Sequence, residues 1–453
     1  MIDFTLKQIA EITGGEYYGP AEMLNTKING ITIDSRAVQP GSLFVPIVGE
    51  RFDGHNFIAS AAEKGAVASL SHKEGEWSCP VIRVKSTEEA FRAIAGAYRA
   101  RFDIPVIGVT GSVGKTTTKE IIASVLSQRF DTLKNQGNLN NQTGVPLTLF
   151  RLMENHGAAV VEMGTNHHGE IAALADIVRP TIGVITNIGE SHIEYLGSRD
   201  GILKEKSDIF RNIGSEGKAI VNGDDDKLCT LKGKMDNLIT YGFGEKNDIQ
   251  AKDITDKGLE GSEFTAVYGD KSLRLTVPAP GRHMIMNAMC AMAVGLSLGM
   301  AEEEIASGVA AYRPAAGRMD IIKCSSITLL SDAYNASPTS MKGSIDIACR
   351  TEGRSVLILG DMLELGNNAP QYHYQVGQHA AQAGADILIS VGELSWEINR
   401  GAAEGGVDTI HFEDRAALTE KLKDIIRPGD VVLVKASHSM GLEHIAEHLK
   451  NNF

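Results

Sequence analysis

Apolar and polar residues alternate along this chain in blocks that predict buried strands followed by helices. The most informative block begins with the β-branched run at 106–110, which predicts a buried strand. A turn with Gly111 and Gly114 follows, and Lys115 then opens a helix. Glycines between a buried strand and a helix N-terminus let consecutive backbone N–H groups converge on an anion. The pattern therefore predicts a phosphate-binding loop.

Residues of this loop have specific expected roles toward a nucleotide. Lys115 is expected on the β- and γ-phosphates, and the Thr116 hydroxyl on a magnesium ion. The usual G-x-x-x-x-G-K-[ST] spacing is not fully met, because Val109 stands where the first glycine is usual. ATP is the expected nucleotide, since the chain has no guanine-reading NKxD motif. The residues predicted to bind ATP here are Gly111, Ser112, Val113, Gly114, Lys115, Thr116 and Thr117.

Two further apolar runs predict strands that end beside the loop. The run at 158–166 ends on Glu162, and the run at 181–192 ends near Asn187 and His192. Ligands collect outside the carboxyl ends of parallel strands, so Glu162 and His192 are predicted to face the loop. For either residue alone, a structural role is the simpler interpretation. Together with the loop, they predict ligands for magnesium.

A predicted helix at 199–213 directs one lysine inward. Lys206 lies on the apolar stripe of this helix, whereas Lys204 does not. An inward ammonium must contact phosphate, extend outward, or lose its charge chemically. Carbamylation would make Lys206 an anion able to bind magnesium. The residues of the stripe are Ile202, Leu203, Ile209, Phe210 and Ile213.

Length and strand spacing predict three α/β domains. The chain has 453 residues, which is more than one core usually supports. Pro105 marks a boundary, because proline disfavours helix at the preceding residue. The last part alternates strands and helices in the manner of a doubly wound fold. We predict a small α/β domain at 1–102, a central P-loop domain with a mostly parallel sheet at 103–317, and a Rossmann-like domain at 318–453. The strands predicted in the last domain are 327–332, 355–361, 385–392 and 430–437.

Composition limits the classes of function. The net charge is −13 without a basic cluster, which argues against nucleic acid or an anionic membrane surface as partner. Five scattered cysteines indicate buried, reduced thiols, and the N-terminus lacks a basic-then-apolar export signal. The uncharged stretch at 283–300 is interpreted as a buried helix, not a membrane span. We expect a cytoplasmic monomer without membrane insertion.

Other candidate positions each have a plain structural alternative. Ser35 and Arg36 with the loop at 49–56 could hold a diphosphate, or form a surface loop with salt bridges. The amide-rich stretch at 135–150 could face a substrate, or simply cap a helix. Arg318, in a glycine-flanked turn, could swing onto a terminal phosphate or remain a surface arginine. At strand ends of the last domain, the residues expected to line one crevice are Asp332, Asn335, Asp361, Lys435, Ser437 and His438.

Many motifs in one order carry a family resemblance. With DSR, TGSVGKTTTKE, VVEMG, NIGESHIEYLGS, LKEKSDIF, AAGRMD, DAYNASPTSM, LGDMLELG and VKASHSMGLE, the chain resembles the Mur ligases along essentially its whole length. These are ATP-dependent amide-forming enzymes of peptidoglycan synthesis. DAYNASPTSM and GDMLELG are similar to the member that adds D-alanyl-D-alanine to UDP-N-acetylmuramoyl-tripeptide through an acyl-phosphate. The DNPR motif of the diaminopimelate-adding member is absent.

The resemblance implies roles for specific residues. It puts two magnesium ions in the site, one held by Thr116 and Glu162 and the other by His192 and carbamylated Lys206. It implies catalytic roles for Lys115, Lys206, His192 and Arg318. Further ATP contacts are implied for Asn287, Arg318 and Asp332. The implied UDP-sugar contacts are Ser35, Arg36, Gly49, Asn138, Asn140 and Asn141. The implied contacts to the amine substrate are Asn335, Lys435, Ser437 and His438.

The chain departs from the family pattern in two motifs. Met284 replaces the asparagine that usually follows the histidine of GRHN, and KGSRSM reads KASHSM here, with Ala436 and His438. These changes affect an adenine contact and the hold on the dipeptide carboxylate. Another ligase of the superfamily, such as the diaminopimelate- or lysine-adding enzyme or a folylpolyglutamate synthetase, is one alternative function. A nucleotide-dependent binding protein with an inactive P-loop is the other.

Overall fold

The structure is a computed structural model that describes residues 2–49, 52–314 and 317–453. Its chain packs into two compact units. Unit 1 comprises 1–108, 130–164 and 170–181, and unit 2 comprises 109–129, 165–169 and 182–453. Glu50 and Arg51 of the predicted 49–56 loop lie outside the described residues, as do Ala315 and Ala316 of the AAGRMD motif. The predicted domain boundaries stay a prediction.

The strands follow the apolar runs. In chain order over the described residues they are β1 (Glu16–Tyr18), β2 (Gly30–Thr32), β3 (Ser42–Phe44), β4 (Ala68–Ser71), β5 (Val81–Arg83), β6 (Val106–Thr110), β7 (Thr132–Lys134), β8 (Ala158–Glu162), β9 (Ile182–Ile185), β10 (Lys218–Asn222), β11 (Leu238–Gly242), β12 (Ile249–Asp256), β13 (Ser262–Tyr268), β14 (Lys271–Val277), β15 (Asp320–Lys323), β16 (Thr328–Ser331), β17 (Ser355–Gly360), β18 (Ile387–Val391), β19 (Asp408–Phe412) and β20 (Val431–Lys435).

Helices occupy the segments between them. Over the same described residues the α-helices are α1 (Leu6–Thr13), α2 (Ile58–Glu63), α3 (Thr87–Arg99), α4 (Lys115–Leu126), α5 (Gly144–Leu149), α6 (Glu170–Val178), α7 (Ile193–Leu196), α8 (Arg199–Ser207), α9 (Arg282–Ser297), α10 (Glu302–Ala310), α11 (Pro338–Arg350), α12 (Ala369–Gln382), α13 (Trp396–Glu404), α14 (Arg415–Ile425) and α15 (Glu443–Asn452).

Unit 1 is built on a five-stranded sheet of order β1-β5-β4-β3-β2. All its pairings are parallel except β1 with β5. The same unit contains the parallel pair β7–β8. Every residue of β8 is buried, as expected for a parallel strand covered on both faces. Glu162, the last residue of β8, is thereby fixed at a strand end.

The first part of unit 2 carries a mixed set of strands. β9, β10, β11 and β12 pair in parallel, and β12, β13 and β14 continue as an antiparallel meander. The short alternating apolar and polar stretches at 264–268 and 273–277 lie within β13 and β14. α9 corresponds to the uncharged helix predicted at 283–300. Among the described residues, no helix is both long enough and apolar enough to cross a bilayer.

The last part of unit 2 is a six-stranded sheet of order β15-β16-β20-β17-β18-β19. Its pairings are parallel except for the antiparallel edge strand β15. The four strands predicted here are confirmed as β16, β17, β18 and β20. Sequence reasoning missed β15 and β19, because neither edge strand is buried enough to show a continuous apolar run. The cysteines, all of them described, form no disulfide, but only Cys290 is buried, so the prediction of buried thiols is wrong for the other four.

The helix predicted at 199–213 is shorter than expected. α8 ends at Ser207, and a 3₁₀ turn at Asp208–Phe210 follows. The tighter turn places the ring of Phe210 against Gly183 of β9, a tertiary contact that helical spacing does not encode. The predicted phase is confirmed, because Lys206 is buried and Lys204 is exposed.

We expect Leu433→Ala to destabilise the last sheet. Leu433 lies in β20, has no exposed surface, and packs in the core below β17 and β16. Its truncation is expected to cost about 2–5 kcal/mol of unfolding free energy. The matched variant Leu363→Ala removes a leucine that is 41% exposed, and it should cost under about 1 kcal/mol. Urea unfolding followed by circular dichroism measures both, and equal losses would contradict the burial argument.

Candidate active site

The predicted phosphate loop connects β6 to α4 and is held by the segment that follows β9. Asn187 makes most of the contacts: its carbonyl oxygen accepts from the Ser112 N–H at 3.0 Å, and its Oδ1 accepts from the Val113 N–H at 2.9 Å. Its Nδ2 donates to the Val113 carbonyl at 2.9 Å, and the Thr186 hydroxyl donates to the same carbonyl at 2.6 Å. These bonds fix the loop before any ligand binds.

Glycine is required at the start of the loop. Gly111 has a φ of +150°, and a Cβ there would lie 1.9 Å from the Thr186 Oγ1. Gly114, the residue before α4, has a φ of +83°. Both positions therefore exclude ordinary side chains, and the exclusion leaves the backbone bare where an anion would approach.

Lys115 and Thr116 open α4 beside this bare backbone. The Lys115 ammonium folds back over the loop and donates to the Gly111 carbonyl at 2.9 Å. Thr116 and Thr117 lie in the first turn of a 12-residue helix, and Thr116 is buried. A helix N-terminus, an ammonium and converging N–H groups together suit a polyphosphate.

The side chain of Lys206 is enclosed by the protein. It is fully buried, and its Nζ has no hydrogen-bond partner among the described residues. Burial holds the pKa of Lys206 well below its usual value, and the positive charge of Lys115 lowers this pKa further, with Glu205 opposing. The neutral amine is therefore strongly favoured over the ammonium.

Glu205, next to Lys206 on α8, is also buried and anchors the segment at 165–169. Its Oε2 accepts from the Gly169 N–H at 2.7 Å, and its Oε1 accepts from the Thr165 hydroxyl at 3.2 Å. His168 extends its Nδ1 to within 3.9 Å of the same carboxylate. The segment is thus tied to the helix that carries Lys206.

His192 is the residue before α7, and it contacts a residue from the loop after β17. Its backbone has a φ of +62°, and its Nδ1 lies 2.6 Å from Oε2 of Glu364. Glu364 follows β17 in the GDMLELG motif. Sequence reasoning identified His192 but missed Glu364, although the acid stands just past a predicted strand.

Glu162 lies in unit 1 among the amides of the predicted substrate loop. Its carboxylate is buried, and Oε1 accepts from Nδ2 of Asn140 at 2.9 Å. The Asn135 side chain bonds to both backbone groups of Glu162. Its Oδ1 accepts from the Glu162 N–H and its Nδ2 donates to the Glu162 carbonyl, both at 2.9 Å. Asn141 caps α5 by accepting from the Gly144 N–H at 2.8 Å, whereas Asn138 is exposed. Two of the predicted UDP-sugar contacts thus also have internal partners.

The other predicted UDP-sugar residues lie at the ends of β2 and β3 in unit 1. Arg36 has a side chain that is 87% exposed and pairs with Asp34 at 2.8 Å. This pair lowers the pKa of Asp34 to about 2. Ser35 accepts from Lys64 through its carbonyl at 2.8 Å, and the Gly49 N–H donates to the Phe52 carbonyl at 2.9 Å. The geometry matches the surface-loop alternative and leaves the Arg36 guanidinium accessible.

Asp332 and Lys435 form an ion pair that the sequence did not predict. The Lys435 Nζ, on a side chain only 3% exposed, lies 2.6 Å from Oδ2 of Asp332. Ser344 donates to the same oxygen at 2.7 Å, and the Met319 N–H donates to Oδ1 at 3.1 Å. Lys435 also donates to the carbonyl of Asn335 at 2.9 Å. The two side chains, predicted to serve different substrates, thus lie together.

Arg318, Tyr334 and His438 form a stack. The Arg318 guanidinium carbon lies 3.9 Å from the Tyr334 ring centroid, and the Tyr334 and His438 rings stack at 5.5 Å. Nearby, the Ser437 hydroxyl accepts from the Leu363 N–H at 3.0 Å. The stack holds Arg318 by a contact worth about 0.5–2 kcal/mol, which a charged phosphate could readily replace.

Asn287 lies on the first turns of α9 and contacts α4. Its Oδ1 accepts from the Thr118 hydroxyl at 3.1 Å, and its Nδ2 lies 3.8 Å from the Met284 sulfur. Both Asn287 and Met284 are buried. The residue that departs from the family pattern is therefore in contact with the predicted adenine-side residue.

Comparisons with known proteins cover nearly the whole chain. Residues 27–109 match the family model described as Mur ligase family, catalytic domain. Residues 109–295 match the Mur ligase middle domain, and residues 317–438 match the Mur ligase, glutamate ligase domain. The UDP-N-acetylmuramoyl-tripeptide–D-alanyl-D-alanine ligase of Bacillus subtilis is 39% identical, over 99% of both chains. The ligase of the same name from Escherichia coli is 36% identical, over 100% of this chain and 99% of its own.

Solved structures give the same result. MurF from Acinetobacter baumannii superposes with a TM-score of 0.92 at 32% identity, covering 99% of each chain. MurF ligase from Thermotoga maritima, solved in complex with ADP, superposes with a TM-score of 0.85 at 26% identity. That match covers 93% of this chain and 97% of the other. The predicted three-domain α/β fold is thereby confirmed.

We expect Asn187→Ala to loosen the phosphate loop. The substitution removes two side-chain hydrogen bonds to Val113. At about 0.5–1.5 kcal/mol each, their loss should weaken binding of ADP by roughly 5- to 150-fold. Titration calorimetry with ADP measures the change. Asn237→Ala, which removes one exposed asparagine bond to the Ser215 carbonyl, is the control and should leave ADP binding unchanged. Unaltered ADP binding in the Asn187 variant would show that these two hydrogen bonds are not needed to hold the loop.

Proposed function

The chain belongs to the Mur ligase family, and on that premise we propose that it is the ATP-dependent ligase that joins D-alanyl-D-alanine to UDP-N-acetylmuramoyl-tripeptide. The observation that carries this function is the similarity to ligases of that name along 99% of the chain, at up to 39% identity. Among the described residues, the phosphate loop, the buried amine of Lys206 and the imidazole of His192 all lie in unit 2.

The reaction needs an activated carboxylate. A carboxylate is a poor electrophile, so ATP first phosphorylates the terminal carboxylate of the tripeptide. The product is an acyl-phosphate, and ADP leaves. The dipeptide amine then attacks the acyl carbon, loses a proton, and expels inorganic phosphate through a tetrahedral intermediate. One amide bond forms and one phosphoanhydride bond is consumed.

Residues of this chain supply positive charge where the phosphoryl group moves. Lys115 needs only to exchange the Gly111 carbonyl for phosphate oxygens, a short movement of its ammonium. Arg318 leaves the face of Tyr334 and turns toward the terminal phosphate. The N-terminus of α4 adds fixed dipoles that need no rearrangement. Such interactions are stronger in a closed site that excludes water, which also protects the acyl-phosphate from hydrolysis.

We propose that Thr116 and Glu162 hold one magnesium ion, and His192 and Lys206 a second. Bound magnesium supplies charge neutralisation at phosphate oxygens. No group of three or more His, Cys, Asp or Glu side chains in the described part of the chain is arranged to hold a metal alone. The proposal fits this finding, because magnesium keeps water and phosphate oxygens and takes few ligands from protein.

Lys206 would contribute as a carbamate. Its neutral amine attacks carbon dioxide, forms an N–C bond and releases one proton, leaving a carboxylate on the nitrogen. The burial of Nζ without a hydrogen-bond partner among the described residues supports this, because the neutral amine is strongly favoured there and its lone pair is available to react.

The remaining candidate residues would bind the UDP-sugar substrate, the dipeptide and ATP. The exposed Arg36 with Ser35 and Gly49 would hold the UDP diphosphate, and Asn138, Asn140 and Asn141 would face the same substrate. Asn335, Ser437 and His438, with Lys435 placed by Asp332, would present the dipeptide. Asn287 and Asp332 would contact ATP. We propose a cytoplasmic monomer, with free thiols as support for that compartment.

Phosphate release measures the proposed function. With UDP-N-acetylmuramoyl-tripeptide and ATP, the enzyme should release phosphate when D-alanyl-D-alanine is added. Lysine, diaminopimelate, glutamate and D-alanine, added singly, should give only background release. Release with a single amino acid would identify another ligase of the superfamily. Tight ATP binding with no amine-dependent release would identify a binding protein.

Lys115→Ala should lower kcat/KM by about 10²–10³-fold, the usual loss for one charge-stabilising donor. Lys204→Ala is the matched control, because Lys204 is exposed and points away from the site. It should retain normal turnover. Near-normal turnover of the Lys115 variant would refute the assignment of the loop.

Lys206→Ala should lose most activity and recover part of it when acetate or formate is added, since a free carboxylate can replace the carbamate. A second readout does not depend on turnover. With ¹³C-labelled bicarbonate, the wild type and Lys204→Ala should show a carbamate carbon signal by NMR that Lys206→Ala lacks. Full activity of the Lys206 variant without rescue would exclude a metal role for this residue.

A further inference from the structure

Glu364 reaches from the loop after β17 to the imidazole of His192. Its Oε2 lies 2.6 Å from Nδ1 of His192, an ion-pair distance, although the ring N–H is not aligned on this oxygen as in a full hydrogen bond. Glu364 has no role in the family-derived assignments above. The contact joins two segments far apart in sequence, so local chain geometry does not account for it.

The contact selects one form of the imidazole. A carboxylate oxygen has no proton to donate, and two lone pairs at this distance would repel each other, so the contact favours the tautomer with its proton on Nδ1. In the neutral ring, Nε2 then keeps its lone pair. Metal-bound histidines in proteins commonly have this arrangement, in which a carboxylate on one nitrogen fixes the ring and raises the basicity of the other. The geometry thus prepares Nε2 as a ligand.

Both partners have a backbone conformation that is unfavourable for their residue types. His192 and Glu364 each have a φ of +62°, although neither is glycine. Residues in such regions usually cost about 1–3 kcal/mol and persist where surrounding structure enforces them. Two neighbouring strained residues that meet through their side chains indicate a contact that the fold maintains at a cost.

The loop that carries Glu364 is itself anchored. The Leu363 N–H donates to the Ser437 hydroxyl at 3.0 Å, and the Ser437 N–H donates to the Asp361 carbonyl at 3.0 Å. Asp361 in turn accepts from the Ser395 N–H at 2.7 Å. Asp361 and Ser437 are buried, so Glu364 extends from a fixed base.

We propose that Glu364 is a positioning residue that holds His192 in its Nδ1-protonated form, so that Nε2 is directed to a divalent cation. The proposal rests on the metal role of His192 given under Proposed function. Glu364 does not itself bind the cation. Its carboxylate orients the ligand and holds the ring in one tautomer.

Two measurements on the full-length enzyme test this role. Long-range ¹H–¹⁵N NMR of histidine-labelled protein without metal reports the tautomer of His192, whose signals are assigned by their loss in His192→Ala. Titration with Mn²⁺ in the presence of ADP, followed by electron paramagnetic resonance of the free ion, reports cation affinity. The variants are Glu364→Ala, Glu364→Gln and, as a control, Glu194→Ala, which removes an exposed acid two residues from His192.

In wild type and Glu194→Ala, His192 should be protonated on Nδ1. Glu364→Ala should show Nε2 protonation and bind Mn²⁺ about 10- to 100-fold more weakly, the usual effect of losing such a partner. Glu364→Gln keeps an oxygen acceptor and should retain the tautomer and most of the affinity.

Two results would overturn the proposal: an unchanged tautomer in Glu364→Ala, or a loss of Mn²⁺ affinity in Glu364→Gln as large as in Glu364→Ala, which would make the carboxylate itself a ligand. Failure of the underlying metal assignment is seen separately, because His192→Ala would then bind Mn²⁺ as tightly as wild type.

Discussion

Burial of the Lys206 amine is the constraint on which the rest of the site depends. An ammonium removed from water, with no hydrogen-bond partner in the described part of the chain and with Lys115 acting on it, is strongly disfavoured. The phase of α8 places Lys206 there, and the 3₁₀ turn after Ser207 packs Phe210 against β9 and secures that phase. The protein therefore keeps a neutral nucleophile in an enclosed space, which is costly for a residue without function.

The phosphate loop and the segment that carries His192 share one support. The chain leaving β9 braces the loop through Thr186 and Asn187 and then continues to His192. A shift of this segment would act on the loop and the imidazole together, since only four residues separate Asn187 from His192. The nucleotide site and the proposed cation site are thus parts of one continuous piece of backbone, and Glu364 fixes its far end.

Periodicity predicted the fold and part of the site, because those signals are local in sequence. The strand–glycine–helix pattern located the loop, and helical spacing placed Lys206 inward while Lys204 faces solvent. The strand ends placed Asp332 and Lys435 in one crevice, but the pattern did not predict that the two side chains form an ion pair. Asp332 and Lys435 are 103 residues apart, and only the parallel pairing of β16 with β20 brings them together. The edge strands β15 and β19 lack the continuous apolar run that marks a buried strand. Asn140 and Asn141, which the family resemblance assigns to the substrate, each also have a partner within the fold.

The shape of the loop at Gly111 has a consequence for drug resistance. A side chain at this position would collide with Thr186, and the φ of +150° suits no other amino acid well. An inhibitor whose affinity came chiefly from the bare backbone at this residue would thus leave few escape mutations at the point of contact. A cell could evade such a compound by altering uptake, expression or a more distant residue, but hardly by replacing this glycine and keeping a working enzyme.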